Sequence, residues 1–92
     1  MRLRELLATC KGRVQGVGFR AKVKSFAENL QLTGFVRNLQ SGDVEICAQG
    51  EQAQLEQLCA ELKRAFPDLI HHIECDFRDP SQPYSDFRII PG

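Results

Sequence analysis

Gly12, Gly16 and Gly18 fall within one seven-residue stretch, between a segment patterned as a strand and one patterned as a helix. Glycine lets the backbone take positive φ and approach a ligand closely. Such a stretch folds either as a plain turn joining strand to helix or as a cradle of converging N–H groups. A cradle beside a helix N-terminus, where the partial charge is positive, suits a tetrahedral anion. The spacing is not that of a nucleotide P-loop, because no Lys-Ser/Thr follows the last glycine, and it lacks the G-x-G-x-x-G spacing of a dinucleotide site. Arg20 falls in the first turn of the following helix. Its planar guanidinium matches phosphate oxygens and stays charged at any working pH, which makes it a candidate clamp over the cradle. The alternative is a solvent-facing helix arginine.

The rest of the chain reads as alternating strands and helices. Residues 6–12 form a first strand with Leu6, Ala8 and Cys10 on one face. From Phe19 onward, Val23, Phe26, Ala27 and Leu30 recur at helical spacing. A second strand is expected over 35–39, then a hairpin at Gln40-Ser41-Gly42-Asp43. The third strand, 44–49, places Val44, Ile46 and Ala48 inward and Glu45, Cys47 and Gln49 outward. Leu55, Leu58, Cys59, Leu62 and Phe66 mark a second helix, with Glu51 in its first turn, Lys63 and Arg64 near its end, and Pro67 stopping it. A fourth strand is expected over 70–78, a loop over 79–83 and a short last strand over 87–90. This order predicts an α+β fold, a ferredoxin-like βαββαβ sandwich whose antiparallel sheet carries two helices on one face and a short extra C-terminal strand. The 92 residues leave no room for a second core, so one domain is expected over 1–92.

Charge is balanced overall, with 12 basic and 12 acidic residues, yet lopsided along the chain. Lys11, Arg13, Arg20, Lys22, Lys24 and Arg37 share the stretch from 11 to 37 with a single acid, Glu28. A domain without basic excess argues against nucleic acid as a partner, and a local positive region suits a small anion. The apolar run Leu6-Leu7-Ala8 is too short for a secretory h-region or a membrane span, so no membrane partner is expected. Cys10, Cys47, Cys59 and Cys75 show neither a C-x-x-C pair nor zinc spacing. They read as reduced thiols of a cytoplasmic protein. His71 and His72 are adjacent on a strand and face opposite sides, so they do not chelate one ion together, and no metal site is expected. Glu74 and Asp76 alternate with Ile73 and Cys75 and read as a solvated face.

Gly12-Arg13-Val14-Gln15-Gly16-Val17-Gly18-Phe19-Arg20 resembles the first signature of acylphosphatases, and Gly34-Phe35-Val36-Arg37-Asn38 resembles the second, with Asn38 in the asparagine position. The spacing between them, the hairpin and the helix start at Gly50-Glu51 are also similar to that family, and Asp86-Phe87-Arg88-Ile89 resembles its closing strand. The sequence departs from the family at two places. Gln31 stands at a helix end where glycine is common, which implies a strained or altered cap. Gln40-Ser41-Gly42 stands where an aspartate-glycine turn is common.

The resemblance implies hydrolysis of acyl phosphates, a small-molecule substrate, to a carboxylate and inorganic phosphate, without metal or cofactor. The sequence gives no basis for an oligomer, and a monomer is expected. By position, Arg20 and the backbone amides of Gln15, Gly16, Val17, Gly18 and Phe19 would bind the phosphoryl group, and Asn38 would orient the attacking water. The chemistry fits these residue types, because a carboxylate leaves easily and positioning with electrostatic stabilisation can supply most of the rate. The competing reading is a non-catalytic module of the same fold that binds a small anion or RNA. An RNA reader would stack bases on exposed sheet aromatics, and the chain has one tyrosine and no tryptophan.

Overall fold

Alternation of apolar and polar residues builds β1 (Arg4–Gly12), β2 (Thr33–Asn38), β3 (Val44–Gly50), β4 (Ile70–Arg78) and the short β5 (Phe87–Ile89). Helical spacing builds α1 (Phe19–Asn29) and α2 (Gln52–Ala65). The structure is a computed structural model that describes residues 2–92; Met1, included in the expected domain, lies outside them.

The strands form one sheet in the order β4-β1-β3-β2-β5. Pairings β1–β3, β1–β4 and β2–β3 are antiparallel, as expected. The short extra strand, whose direction the sequence leaves open, is β5, which runs parallel to β2 with Val36 opposite Ile89 and makes the sheet mixed. The direction follows from the path of the 79–86 connection. β4 ends at Arg78 opposite Glu5 and β5 begins at Phe87 opposite Gly34, so the chain crosses one end of the sheet and β5 runs back antiparallel to β4 and parallel to β2.

Leu6, Ala8 and Cys10 of β1, Val36 of β2 and Val44, Ile46 and Ala48 of β3 make one buried sheet face. Val23 and Ala27 of α1 and Leu55, Leu58 and Leu62 of α2 close over it, so both helices occupy that side. Glu51 lies just outside the first turn of α2, as its N-cap. Phe66 follows α2 and stacks edge-on against Phe19, with ring centroids 5.0 Å apart.

The other sheet face is partly covered. Cys47 points away from the helices, as its register demands, yet it is 2% exposed. Residues 79–85 lie over this face, and the fully buried Glu5 ties them down. Its carboxylate accepts from Arg78 Nε at 2.6 Å, Gln49 Nε2 at 2.8 Å and Ser81 Oγ at 3.0 Å. Burial alone would raise the Glu5 carboxyl, but the Gln49, Arg78 and Ser81 donors outweigh it and hold the group at about 2.

Helix α1 ends as its sequence implied. Gln31 sits in the left-handed region at φ 61. Its N–H donates to the Glu28 carbonyl at 3.0 Å, and the Leu32 N–H to the Ala27 carbonyl at 2.8 Å. These are the two bonds of a Schellman motif, here made without glycine.

Candidate active site

The glycine-rich loop leaves β1 where Gly12 takes φ 134. A Cβ there would collide with the Leu69 carbonyl oxygen, so Gly12 permits a backbone-to-backbone approach that no other residue allows. The next amide uses that closeness: Arg13 N–H donates to the same Leu69 oxygen at 2.8 Å. Val14 then turns inward and is 1% exposed. The loop is thus pinned at its start by the α2–β4 connection and by an apolar anchor.

Gly16 and Gly18 both take positive φ, 77 and 75, and a Cβ on either would meet open space. Their role is conformational, and the space beside them is accessible to a ligand. Gly18 is the N-cap of α1 and supplies no side-chain hydrogen bond; no acid lies in the first turn. The first amides of α1 therefore lack an intrahelical or side-chain partner and face the concavity with the positive end of the helix dipole.

Val14, Gly16, Gly18, Phe19, Arg20, Ala21 and Ile89 line a cavity of about 170 Å³ at this point. The structure thereby brings together four of the residues expected at the site: Gly16, Gly18, Phe19 and Arg20. Among the described residues Arg20 has no carboxylate within ion-pair distance, whereas Arg37, Arg78 and Arg88 each do. A half-buried guanidinium with no internal partner is available to an anion.

Gln15, Val17 and Asn38 do not line that cavity. Val17 is 47% exposed at the loop's crest. The Gln15 side chain turns toward the hairpin, where Nε2 donates to the carbonyls of Leu39 at 2.8 Å and Asp43 at 2.9 Å. Asn38 is the last residue of β2, two beyond Val36 and so on the helix-facing side. Its Oδ1 is buried and accepts no hydrogen bond from any described residue. A buried acceptor without a partner is costly, on the order of 1–3 kcal/mol, so this oxygen is set to take a hydrogen from an incoming donor.

Two contributors were not anticipated from sequence. Ile89 enters the cavity because β5 pairs with β2, a tertiary fact that no local pattern states. The Gln15 side chain contributes as well as its amide, and its donor pair beside a glycine-rich loop is the sequence signal for that. His71 and His72 are both exposed on β4, and Glu74 and Asp76 are exposed as expected. Among the described residues no three His, Cys, Asp or Glu side chains converge as metal ligands.

Known proteins share this fold. The acylphosphatase family model matches residues 7–89. An acylphosphatase of Coxiella burnetii is 42% identical over 83 residues, which cover 89% of this chain and 86% of that protein. Among solved structures, the acylphosphatase from Bacillus subtilis superposes with a TM-score of 0.88 at 31% identity, covering 95% of this chain and 98% of that one. A Coxiella burnetii acylphosphatase superposes with a TM-score of 0.86 at 38% identity, covering 97% and 94%.

Proposed function

The chain belongs to the acylphosphatase family and hydrolyses acyl phosphates, and we propose that Arg20 and the amides of residues 15–19 hold the phosphoryl group while Asn38 orients the attacking water. One observation carries this assignment: an uncapped helix N-terminus, two positive-φ glycines and an arginine free of internal partners open onto one cavity.

In this reading the phosphoryl oxygens lie against the loop amides and the first amides of α1, with the Arg20 guanidinium closing over them. The water donates one hydrogen to Asn38 Oδ1, which directs an oxygen lone pair at phosphorus. The new P–O bond forms as the bond to the carboxylate oxygen breaks, and the carboxylate leaves with that electron pair. The water's remaining proton passes to phosphate or solvent, so neither Asn38 nor Arg20 changes protonation. A carboxylate is a good leaving group, and the phosphoryl passes through a loose state whose charge the fixed donors stabilise.

The finer features of the reading rest on the same framework. Hydrolysis proceeds without a metal because none of these steps calls for one. The sheet face that an RNA reader would use is occupied by residues 79–85, and Phe35 is covered edge-on by Tyr84 at 5.9 Å. Of the described large apolar side chains only Leu3, Val17 and Ile89 are exposed, and two of these border the loop and cavity, which fits a monomer. Four unpaired thiols fit a cytoplasmic setting.

The test is turnover of benzoyl phosphate and acetyl phosphate in the presence of chelator, with wild type, Arg20→Ala and Asn38→Ala. Both variants are expected to keep the circular dichroism of the wild type and lose at least ~100-fold in rate. Full activity in either variant would remove that residue from the mechanism. Phosphate binding without turnover by the wild type would favour the non-catalytic anion module.

A further inference from the structure

We propose that Cys59 and Cys75 form an oxidation site, in which hydrogen peroxide converts the two thiols to a disulfide that fastens α2 to the edge strand β4. Their Sγ atoms lie 3.5 Å apart although the residues belong to different layers of the fold. Cys75 stands opposite Ala8 in the β1–β4 register, which places it on the helix-facing side of the sheet. Because β4 is the outermost strand, Cys75 is nevertheless exposed, while Cys59 is buried beneath α2. One sulfur is therefore open to a small oxidant and the other is already in place to resolve it. Cys10, fully buried on β1, faces the same side, whereas Cys47 lies on the opposite face of the sheet.

The chemistry balances with one peroxide. The Cys75 thiolate attacks a peroxide oxygen, the O–O bond breaks, and the hydroxide that leaves takes a proton to become water. Cys75 is now a sulfenic acid, oxidised by two electrons. Cys59 sulfur then attacks the Cys75 sulfur, the S–O bond breaks, and the second water leaves with the Cys59 proton. Two thiols and one peroxide give one disulfide and two waters. Burial pushes the Cys59 thiol up, so the second step gains as pH rises.

The bridge would span the α2–β4 connection, which holds two of the contacts that brace the phosphate loop. Phe66 lies against Phe19, and the Leu69 carbonyl accepts from Arg13 N–H. Closing this segment removes freedom from the unfolded chain and leaves the folded site as it is.

The test exposes the reduced full chain to hydrogen peroxide, followed by thiol counting, peptide mapping by mass spectrometry and thermal melting. The expected result is a Cys59–Cys75 linked peptide, loss of two thiols per chain, and a melting temperature raised by about 10 °C that dithiothreitol reverses. Cys75→Ser and Cys59→Ala should lose the linked peptide, while Cys10→Ala and Cys47→Ala should keep it. The proposal is overturned if Cys75 proceeds to sulfinic acid with Cys59 still free. A Cys75–Cys75 dimer, or a bridge to Cys10, overturns it equally. A linked peptide without any rise in melting temperature overturns the fastening of α2 to β4. None of these readouts depends on phosphate hydrolysis.

Discussion

The Gln15 side chain and Leu39 are joined by a 2.8 Å hydrogen bond from Nε2 to the carbonyl oxygen, so the phosphate loop is fastened to the residue that follows Asn38. The same amide reaches the Asp43 carbonyl at 2.9 Å, across the closing pair of the hairpin, where Leu39 N–H donates to the same oxygen. One side chain thereby sets the distance between the groups proposed to hold the phosphoryl and the group proposed to hold the water. Gln15→Met keeps the length and removes both donors. The expected result is a fall in kcat of roughly 10-fold with KM moving far less, because positioning errors cost rate before affinity. An unchanged kcat in steady-state assays would reduce Gln15 to a loop fastener without influence on the water.

Gln31 carries a cost that glycine would not. Its φ of 61 in the Schellman motif puts Cβ against its own backbone, a penalty of roughly 1–2 kcal/mol that glycine avoids. Gln31→Gly gives back part of the gain through greater unfolded-state freedom, so the expected net stabilisation is about 0.5–1 kcal/mol. Urea denaturation measures it, and Gln31→Ala, which keeps Cβ, should show no such gain. Activity should not change, since Gln31 does not line the cavity.

The same residue shows how far local reasoning reaches. Gln31 stood at a glycine position in the sequence and is a left-handed residue in the fold, because helix ends obey short-range geometry. Alternation alone likewise puts Cys10 and Cys47 on opposite faces, which is where the fold has them. Exposure was another matter. Cys47 is buried by residues 79–85, which arrive from the far end of the chain, and Cys75 is exposed because β4 is an edge. The site divides in the same way. Gly16, Gly18 and Arg20 were legible in one contiguous motif. Ile89 depends on a parallel pairing 53 positions away from Val36 in the chain, and no periodicity encodes a partner.

Acid should weaken the protein through Glu5. Its carboxyl is held at about 2 in the fold against 4.5 as the ordinary value. Between those pH values the unfolded chain binds more protons than the folded one, so stability rises with pH across the window. The contribution is complete above pH 4.5 and is lost as pH falls toward 2. Urea midpoints measured from pH 7 down to 2 should trace that decline. Glu5→Gln should start lower at pH 7, by about 2–3 kcal/mol for disrupting a buried charge-assisted network, and its decline over the same window should be shallower. A variant with the wild-type acid slope would assign that slope to other carboxylates.

Ile89 is the one exposed large apolar side chain in the cavity that also holds Arg20. A phosphate bound at the amides has no use for it, since its oxygens seek donors. The acyl portion of the substrate does, because it projects from the phosphoryl group and gains by leaving water. Ile89→Ala removes apolar surface from that contact while Val36 and Phe87 keep β5 in place. The loss should scale with the apolar area of the acyl group, at about 25 cal/mol per Å². Benzoyl phosphate should therefore lose roughly 5-fold in kcat/KM, acetyl phosphate much less, and inhibition by inorganic phosphate should not change. If both substrates fall by the same factor, Ile89 supports the loop and does not contact the acyl group. If phosphate inhibition weakens in parallel, the altered part is the anion cradle itself.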